Sequence, residues 1–398
     1  MRPLALACLL ALAAWSPGAR DDDAPSPDDV HPLEAAGRFD EAAAVLEQRA
    51  TVPGVAPDVA RAWLDRALDY RLALDDTEAA TRILRALAAV APVAHVAARE
   101  LDLGDVLTRG QRWRGSAALH TAWLARHGQL AAATLRARAN VALGNAWREL
   151  GDEARALAAY REVRVVPEPP PPPPPPFLGG GAASGPSPRR SPYPAADDPG
   201  APQEQDAPLA ALRAEAMFWQ TEPRYRRFVA RTTPVYSGPP DRRGYDHWVQ
   251  SVLNPWVVAT VRELQGPLAY AYSAIIHEHA PAWEIAAFER IAATLAAFGR
   301  RVRDARLPPF LARALVSGLC DTWNVPADEQ SAPYFEQARE GYRRCIRLST
   351  HYRSTHSLYR CERALYDLDR ARFPLPDELT PALTHRALAA LDLPLATR

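Results

Sequence analysis

Along most of this chain hydrophobic residues return every third or fourth position, and no stretch alternates residue by residue as a half-buried strand would. Helix formers dominate as far as residue 166. Beyond residue 207 the same periodicity predicts helices over about 208–219, 223–230, 242–264, 267–279, 283–303, 309–319, 333–350 and 354–369. Between these regions the pattern stops. Residues 167–207 contain an unbroken proline run from Pro169 to Pro176, then Gly179–Gly181, then a Ser/Pro/Asp remainder. Proline fixes φ and lacks an amide hydrogen, so the run is neither helix nor sheet but a polyproline rod of about 25 Å. The expectation is an all-α chain in two lobes, residues 30–166 and 208–398, joined by a linker at 167–207 that is stiff first and loose after. A polyproline ligand for an aromatic groove is the functional alternative for that linker.

The residues from Asn140 to Pro167 give the helices a grammar. Leu143 and Gly144 are followed by Trp147, Leu150 and Gly151, then Ala156, Tyr160 and a closing proline. This resembles the tetratricopeptide repeat, a helix–turn–helix unit of about 34 residues. Each part has a packing reason: Gly144 and Ala156 let antiparallel helices approach, Leu143, Trp147 and Tyr160 fill the seam, Gly151 turns the chain, and Pro167 stops the second helix. Weaker copies precede it. Trp63, Ala67, Tyr70, Ala79, Ile83 and Ala86 occupy corresponding slots, Gly37, Ala42 and Leu46 keep a second half, and Leu103 and Gly104 open a poorer copy. The resemblance implies a helical-hairpin solenoid whose first helices line a surface that holds a peptide or protein. Ala338, Tyr342 and Cys345 again fit the second helix of such a repeat.

Residues 210–380 also resemble the C-terminal part of a group of envelope repeat proteins from gliding proteobacteria. The likeness lies in "PAWEIAAFERIAATLAAF" from Pro281, "LPP" at Leu307, "AREGYRRCIRL…CERAL" and "FPLPDEL" at Phe373. It implies a scaffold in an envelope assembly, with a connection to gliding.

Composition narrows the chemistry. The 398 residues are 48% hydrophobic and carry 47 basic against 47 acidic groups, so the net charge is zero and argues for neither nucleic acid nor an anionic membrane as the main partner. Every basic residue is arginine. Without lysine there is no Schiff base, phosphate-loop lysine or kinase strand lysine.

The opening "MRPLALACLLALAAWSPGAR" has an arginine at position 2, then a short apolar run and small residues, the order of a secretory signal peptide over residues 1–19. Lipidation of Cys8 is the alternative reading there. No other segment has eighteen consecutive apolar residues, so the mature chain is expected to lack a transmembrane segment and to work in the periplasm or cell envelope. Thiols pair in an oxidising compartment, and Cys320, Cys345 and Cys361 remain after cleavage. Cys345 and Cys361 each lie eight residues from a turn near Arg353. An antiparallel helical hairpin brings such positions level, so a disulfide is expected, stabilising by about 3 kcal/mol. Two buried packing cysteines are the alternative; the spacing is not that of a redox C-x-x-C pair. Cys320 reads as a buried thiol.

Other candidate chemistry is thin. His277 and His279 flank Glu278, but i and i+2 positions diverge on a helix, so they read as a helix C-terminus rather than metal ligands. His351 and His356 read as turn residues. Glu284 and Glu289 are ordinary helical carboxylates, and the glycines at 179 lack the strand and helix that a phosphate cradle needs. No nucleophile-elbow or H-E-x-x-H motif occurs. Arg339, Arg343 and Arg347 form a stripe that is either a solvated face or a dock for an acidic partner. The chain therefore reads as an exported, non-enzymatic scaffold with no cofactor and a protein or peptide partner. A cell-wall glycan-binding protein or enzyme is one alternative, and a purely structural spacer is another.

Overall fold

The computed structural model describes residues 30–166, 207–239, 242–304 and 317–373, and the side chains of Arg242, 317–328 and Gln330 are not described. The signal peptide, Cys8, the proline linker, the "LPP" motif and most of "FPLPDEL" lie outside the described residues, as does the side chain of Cys320. All regular structure among the described residues is helical. The chain divides into two compact units between Arg112 and Trp113.

The first unit comprises α1 (His31–Ala35), α2 (Phe39–Ala50), α3 (Pro57–Ala73), α4 (Thr77–Val90) and α5 (Val93–Arg109). Its core is rich in alanine. Ala42 and Ala43 of α2, Ala67 of α3, and Ala79 and Ala80 of α4 are fully buried, so the backbones approach closely while Leu46, Leu68, Ile83 and Leu87 fill the seams. Arg71 is buried in this stack and is held by Glu47 at 2.9 Å, by Asp40 and by Asp76 at 3.5 Å. A charge taken from water needs such partners.

One turn recurs. Gly37, Asp75 and Gln111 each adopt a left-handed φ, of 71°, 61° and 55°, and Gly151 in the second unit does so at 80°. In every case the next amide bonds the carbonyl five residues before it. Arg38 N–H donates to Leu33, Asp76 to Arg71, Arg112 to Leu107 and Asp152 to Trp147, all at 2.8–2.9 Å. This closes a helix end by satisfying its orphan carbonyls. Where the following residue is aspartate it also opens the next helix: Asp76 accepts from Ala79 N–H and Asp152 from Arg155 N–H, each at 3.0 Å.

The second unit begins with α6 (Trp113–His127), α7 (Ala133–Glu149) and α8 (Glu153–Arg161). Gly144 of α7 faces Tyr160 of α8 so closely that a Cβ there would stand 2.5 Å from the ring. Tyr160 is buried and its hydroxyl donates to Asn145 Oδ1 at 2.7 Å. Helix α8 ends at Arg161, ahead of Pro167, so proline is not what stops it.

The compact units do not divide at the linker, where the composition placed the boundary. Helix α9 (Ala207–Ala230) follows it directly and packs on α7 and α8, with Ala216, Leu212 and Trp219 covering Val141, Ala156 and Tyr160. Asn145 Nδ2 also donates to Glu215 at 2.8 Å, and Gln220 caps the end of α8 by donating to the Arg164 carbonyl at 2.6 Å. Apolar area on both sides of the prolines is buried in common, which outweighs the tendency of a linker to separate domains.

Prolines mark fewer helix ends than expected. Helix α9 runs through Pro223 as one element. The expected helices at 242–264 and 267–279 form one continuous helical run: α10 (Arg242–Trp248), a π-helical turn (Val249–Leu253), α11 (Asn254–Glu263), a second π turn (Leu264–Leu268) holding Pro267, and α12 (Ala269–Ile276). A wider turn absorbs the hydrogen bond that proline cannot donate. Helix α13 (Pro281–Asp304) then packs along α14 (Ser317–His351), which merges the end of the expected 309–319 helix with the expected 333–350 helix. Helix α15 (Thr355–Leu368) folds back on α14. Phe288, Ala292, Leu295 and Phe298 meet Ala338, Tyr342 and Cys345 in this core, and Gly341 lets α14 approach Ala292, whose Cβ lies 3.0 Å from where a glycine Cβ would stand.

Candidate functional site

Helices α3 and α5 each pack against α4 and touch one another, and between them is a cavity of about 570 Å³, open to solvent. Arg99, Asp102, Val106 and Arg109 fall at i, i+3, i+7 and i+10 of α5, so one helical face supplies most of its wall. Asp69 and Leu72 of α3 stand opposite, and Asp105 and Thr108 complete the rim. Leu72 and Val106 are buried and make an apolar floor. The rim is charged, with three aspartates against two arginines.

Arg99 organises that rim. It bonds Asp102 at 2.7 Å, pairs with Asp69, and reaches Asp65 at 3.4 Å, while His95 Nε2 meets the same Asp65 at 2.9 Å. Burial pulls the guanidinium pKa down, but the bond to Asp69 and the charges of Asp69, Asp102 and Asp65 outweigh it and leave the value raised. A fixed cation ringed by carboxylates over an apolar floor can take a polypeptide's side chains and backbone amides.

The structure brings Cys345 and Cys361 together. Their Sγ atoms lie at disulfide-bonding distance, 1.98 Å, with Cα atoms 6.2 Å apart, and both residues are fully buried in the α13–α15 core. The turn between their helices is another left-handed one, Arg353 with φ 56°, and Ser354 N–H donates to the Ser349 carbonyl at 2.8 Å.

The remaining candidates fall as follows. Helix α12 ends at Ile276, His279 takes a left-handed φ of 51°, and Glu278 lies 3.8 Å from Arg164. Among the described residues no group of three or more His, Cys, Asp or Glu could hold a metal ion. His351 and His356 are exposed beside the α14–α15 turn. Glu289 pairs with Arg360, and Arg290 lies 3.8 Å away. Burial pushes the Glu284 carboxyl up, with Arg344 and His279 opposing. In the arginine stripe, Arg339 reaches Asp369 at 3.3 Å, Arg347 bonds Glu340 at 2.8 Å, and Arg343 lies over Phe373 at 4.9 Å.

Sequence reasoning missed a polar cluster inside the second unit. Glu222 is 8% exposed and binds Arg290 through two 3.1 Å bonds. Arg290 also lies over Tyr225 at 4.7 Å. Burial raises the Tyr225 and Tyr342 phenols, and raises Tyr272 well above its ordinary value. The one signal was an acidic residue immediately before Pro223, on an otherwise apolar face.

Among the described residues no helix is long and apolar enough to cross a membrane. No protein-family model matches the chain, and no curated protein matches it either.

Proposed function

We propose that the chain is an exported scaffold built on tetratricopeptide-like hairpins, and that the cavity between α3 and α5 holds a polypeptide segment of a cell-envelope assembly. The observation that carries this is the recurring turn: left-handed residues at Gly37, Asp75, Gln111 and Gly151, spaced 38, 36 and 40 positions apart and each closed by the same hydrogen bond. That period is near the repeat length of about 34 residues. The first helices of successive hairpins are α3 and α5, the pair that lines the cavity. The resemblance of residues 210–380 adds the envelope setting and a connection to gliding. The glycan-binding alternative has less support, because none of the described residues lining the cavity is an aromatic that could stack on a sugar ring.

The test is a photo-cross-linking amino acid placed at Val106 or Thr108, with Arg82 on α4 as control, in cells that carry the native envelope. A discrete protein adduct from the cavity positions, absent at Arg82, supports the reading. Equal labelling from all three positions, or none, counts against it.

A further inference from the structure

We infer that the tip of the α14–α15 hairpin is a docking surface for an acidic polypeptide segment. This surface belongs to the second unit and does not depend on the α3–α5 cavity, so the two stand or fall separately.

Charge distribution carries the inference. From Gly341 to Cys361 the chain has Arg343, Arg344, Arg347, Arg353 and Arg360 and two histidines, with no aspartate or glutamate; the nearest acids, Glu340 and Glu362, stand just outside. Arg347, His351, Tyr352, Arg353, His356 and Arg360 are all exposed at one end of the hairpin, where, among the described residues, Glu340 holds Arg347 and Glu289 holds Arg360 while the charge of Arg353 is left unmatched. A chain whose total charge is zero has concentrated one sign here, and such a field selects a partner of opposite charge.

The neighbouring pairs indicate the chemical class of ligand. Arg347 takes Glu340 at 2.8 Å, Arg363 takes Asp367 at 3.2 Å and Arg339 takes Asp369 at 3.3 Å, so arginines on this hairpin bond carboxylates that come within reach. Arg353, at the apex, forms no ion pair among the described residues. Its position is fixed by its left-handed turn, and the adjoining amide is held by the Ser349 carbonyl. The apex also abuts the start of α15, where the Ser354 side chain bonds Ser357 Oγ at 3.1 Å instead of a first-turn amide, leaving the positive end of the helix uncapped by it. Below the apex, Cys345 and Cys361 tie the two helices together, so little freedom is lost on binding.

An anionic lipid surface offers the same charge but asks for an apolar face to insert. At the tip the large exposed apolar residue is Tyr352, 44% exposed, which suits side-on contact with a peptide better than burial in acyl chains.

The experiment uses the full chain with a fluorescein-labelled decaglutamate peptide, read by fluorescence anisotropy at about 50 mM and 300 mM salt. Saturable binding at the lower salt is expected. The double variant Arg347→Glu/Arg353→Glu should weaken it at least about tenfold, because two attractive contacts become repulsive. Arg370→Glu, an exposed arginine beyond the tip, should change it less than about twofold. Absence of binding at low salt, or equal binding by the double variant, overturns the proposal. So does co-flotation with phosphatidylglycerol vesicles that the peptide fails to compete. Should the reversal variant melt early, Arg347→Gln/Arg353→Gln gives the same reading with a smaller loss.

Discussion

The two units of this chain reach stability by different means. The first uses one hairpin repeatedly, with alanines at the crossings, leucines in the seams and single arginines, Arg71 and Arg99, each shared among several carboxylates. The second, beyond α8, uses helices of unequal length around large aromatic side chains and places an ion pair, Glu222 with Arg290, against that core. The contrast separates two kinds of specification. Repetition fixes a fold through local rules applied again and again, whereas an irregular core needs a few long-range pairs that only one arrangement satisfies.

The ion pairs give the sharpest contrast. Glu222→Ala leaves Arg290 without its two-bond partner in a largely enclosed site and should cost about 3–5 kcal/mol in urea unfolding. Asp102→Ala, which removes one of several carboxylates from Arg99 and leaves Asp69 and Asp65 in place, should cost at most about 1 kcal/mol. Equal losses would erase the distinction between the units.

Next in size is the cysteine pair. Cys345→Ser/Cys361→Ser should lower stability by about 3 kcal/mol under oxidising conditions and remove any effect of reductant on the melting curve. If the wild-type chain shows free thiols at both positions after alkylation and mass analysis, the covalent tie is absent.

A smaller loss is expected where the hairpin grammar is tightest. Gly144→Ala puts a methyl group 2.5 Å from the Tyr160 ring, so α7 and α8 must move apart, at a cost of about 2 kcal/mol. An unchanged melting temperature would mean that the seam is looser than described.

The smallest effect concerns pH. Burial raises the Glu215 carboxyl above its ordinary value of 4.5, with the bond from Asn145 and the charge of Arg148 opposing. A raised folded-state pKa gives stability that is present below the unfolded value and lost as pH climbs through the folded one. Glu215→Gln, which retains an acceptor for Asn145, should therefore flatten that loss above about pH 4.5. A variant with the wild-type pH profile would show that Glu215 titrates as an ordinary carboxyl.

The legibility of each feature follows the same divide. Gly151 and Gly37 announced their turns because glycine accepts positive φ freely. Asp75 and Gln111 make the same turn with side chains that seldom adopt it, so pattern reading passed over them, whereas the turn at Arg353 was legible from the helices on either side of it. The all-helical class was legible from period alone, and the nearness of Cys345 to Cys361 from their symmetry about a turn. Helix ends were misplaced wherever proline was taken as a stop, since Pro223 and Pro267 cost single hydrogen bonds that packing on both flanks outweighs. The α3–α5 cavity was foreseen only as a surface on first helices. Its residues sit on two helices joined through a third, and nothing local in the sequence declares that proximity. Glu222 and Arg290 lie 68 positions apart, which no spacing rule reaches.

Amide hydrogen exchange at four backbone positions tests the recurring hairpin most directly. Arg38, Asp76, Arg112 and Asp152 each donate to a carbonyl five residues back, so we expect all four to exchange far more slowly than free peptide. Free-peptide rates at two or more of them would mean that the shared turn does not form, and the repeat reading would fail with it.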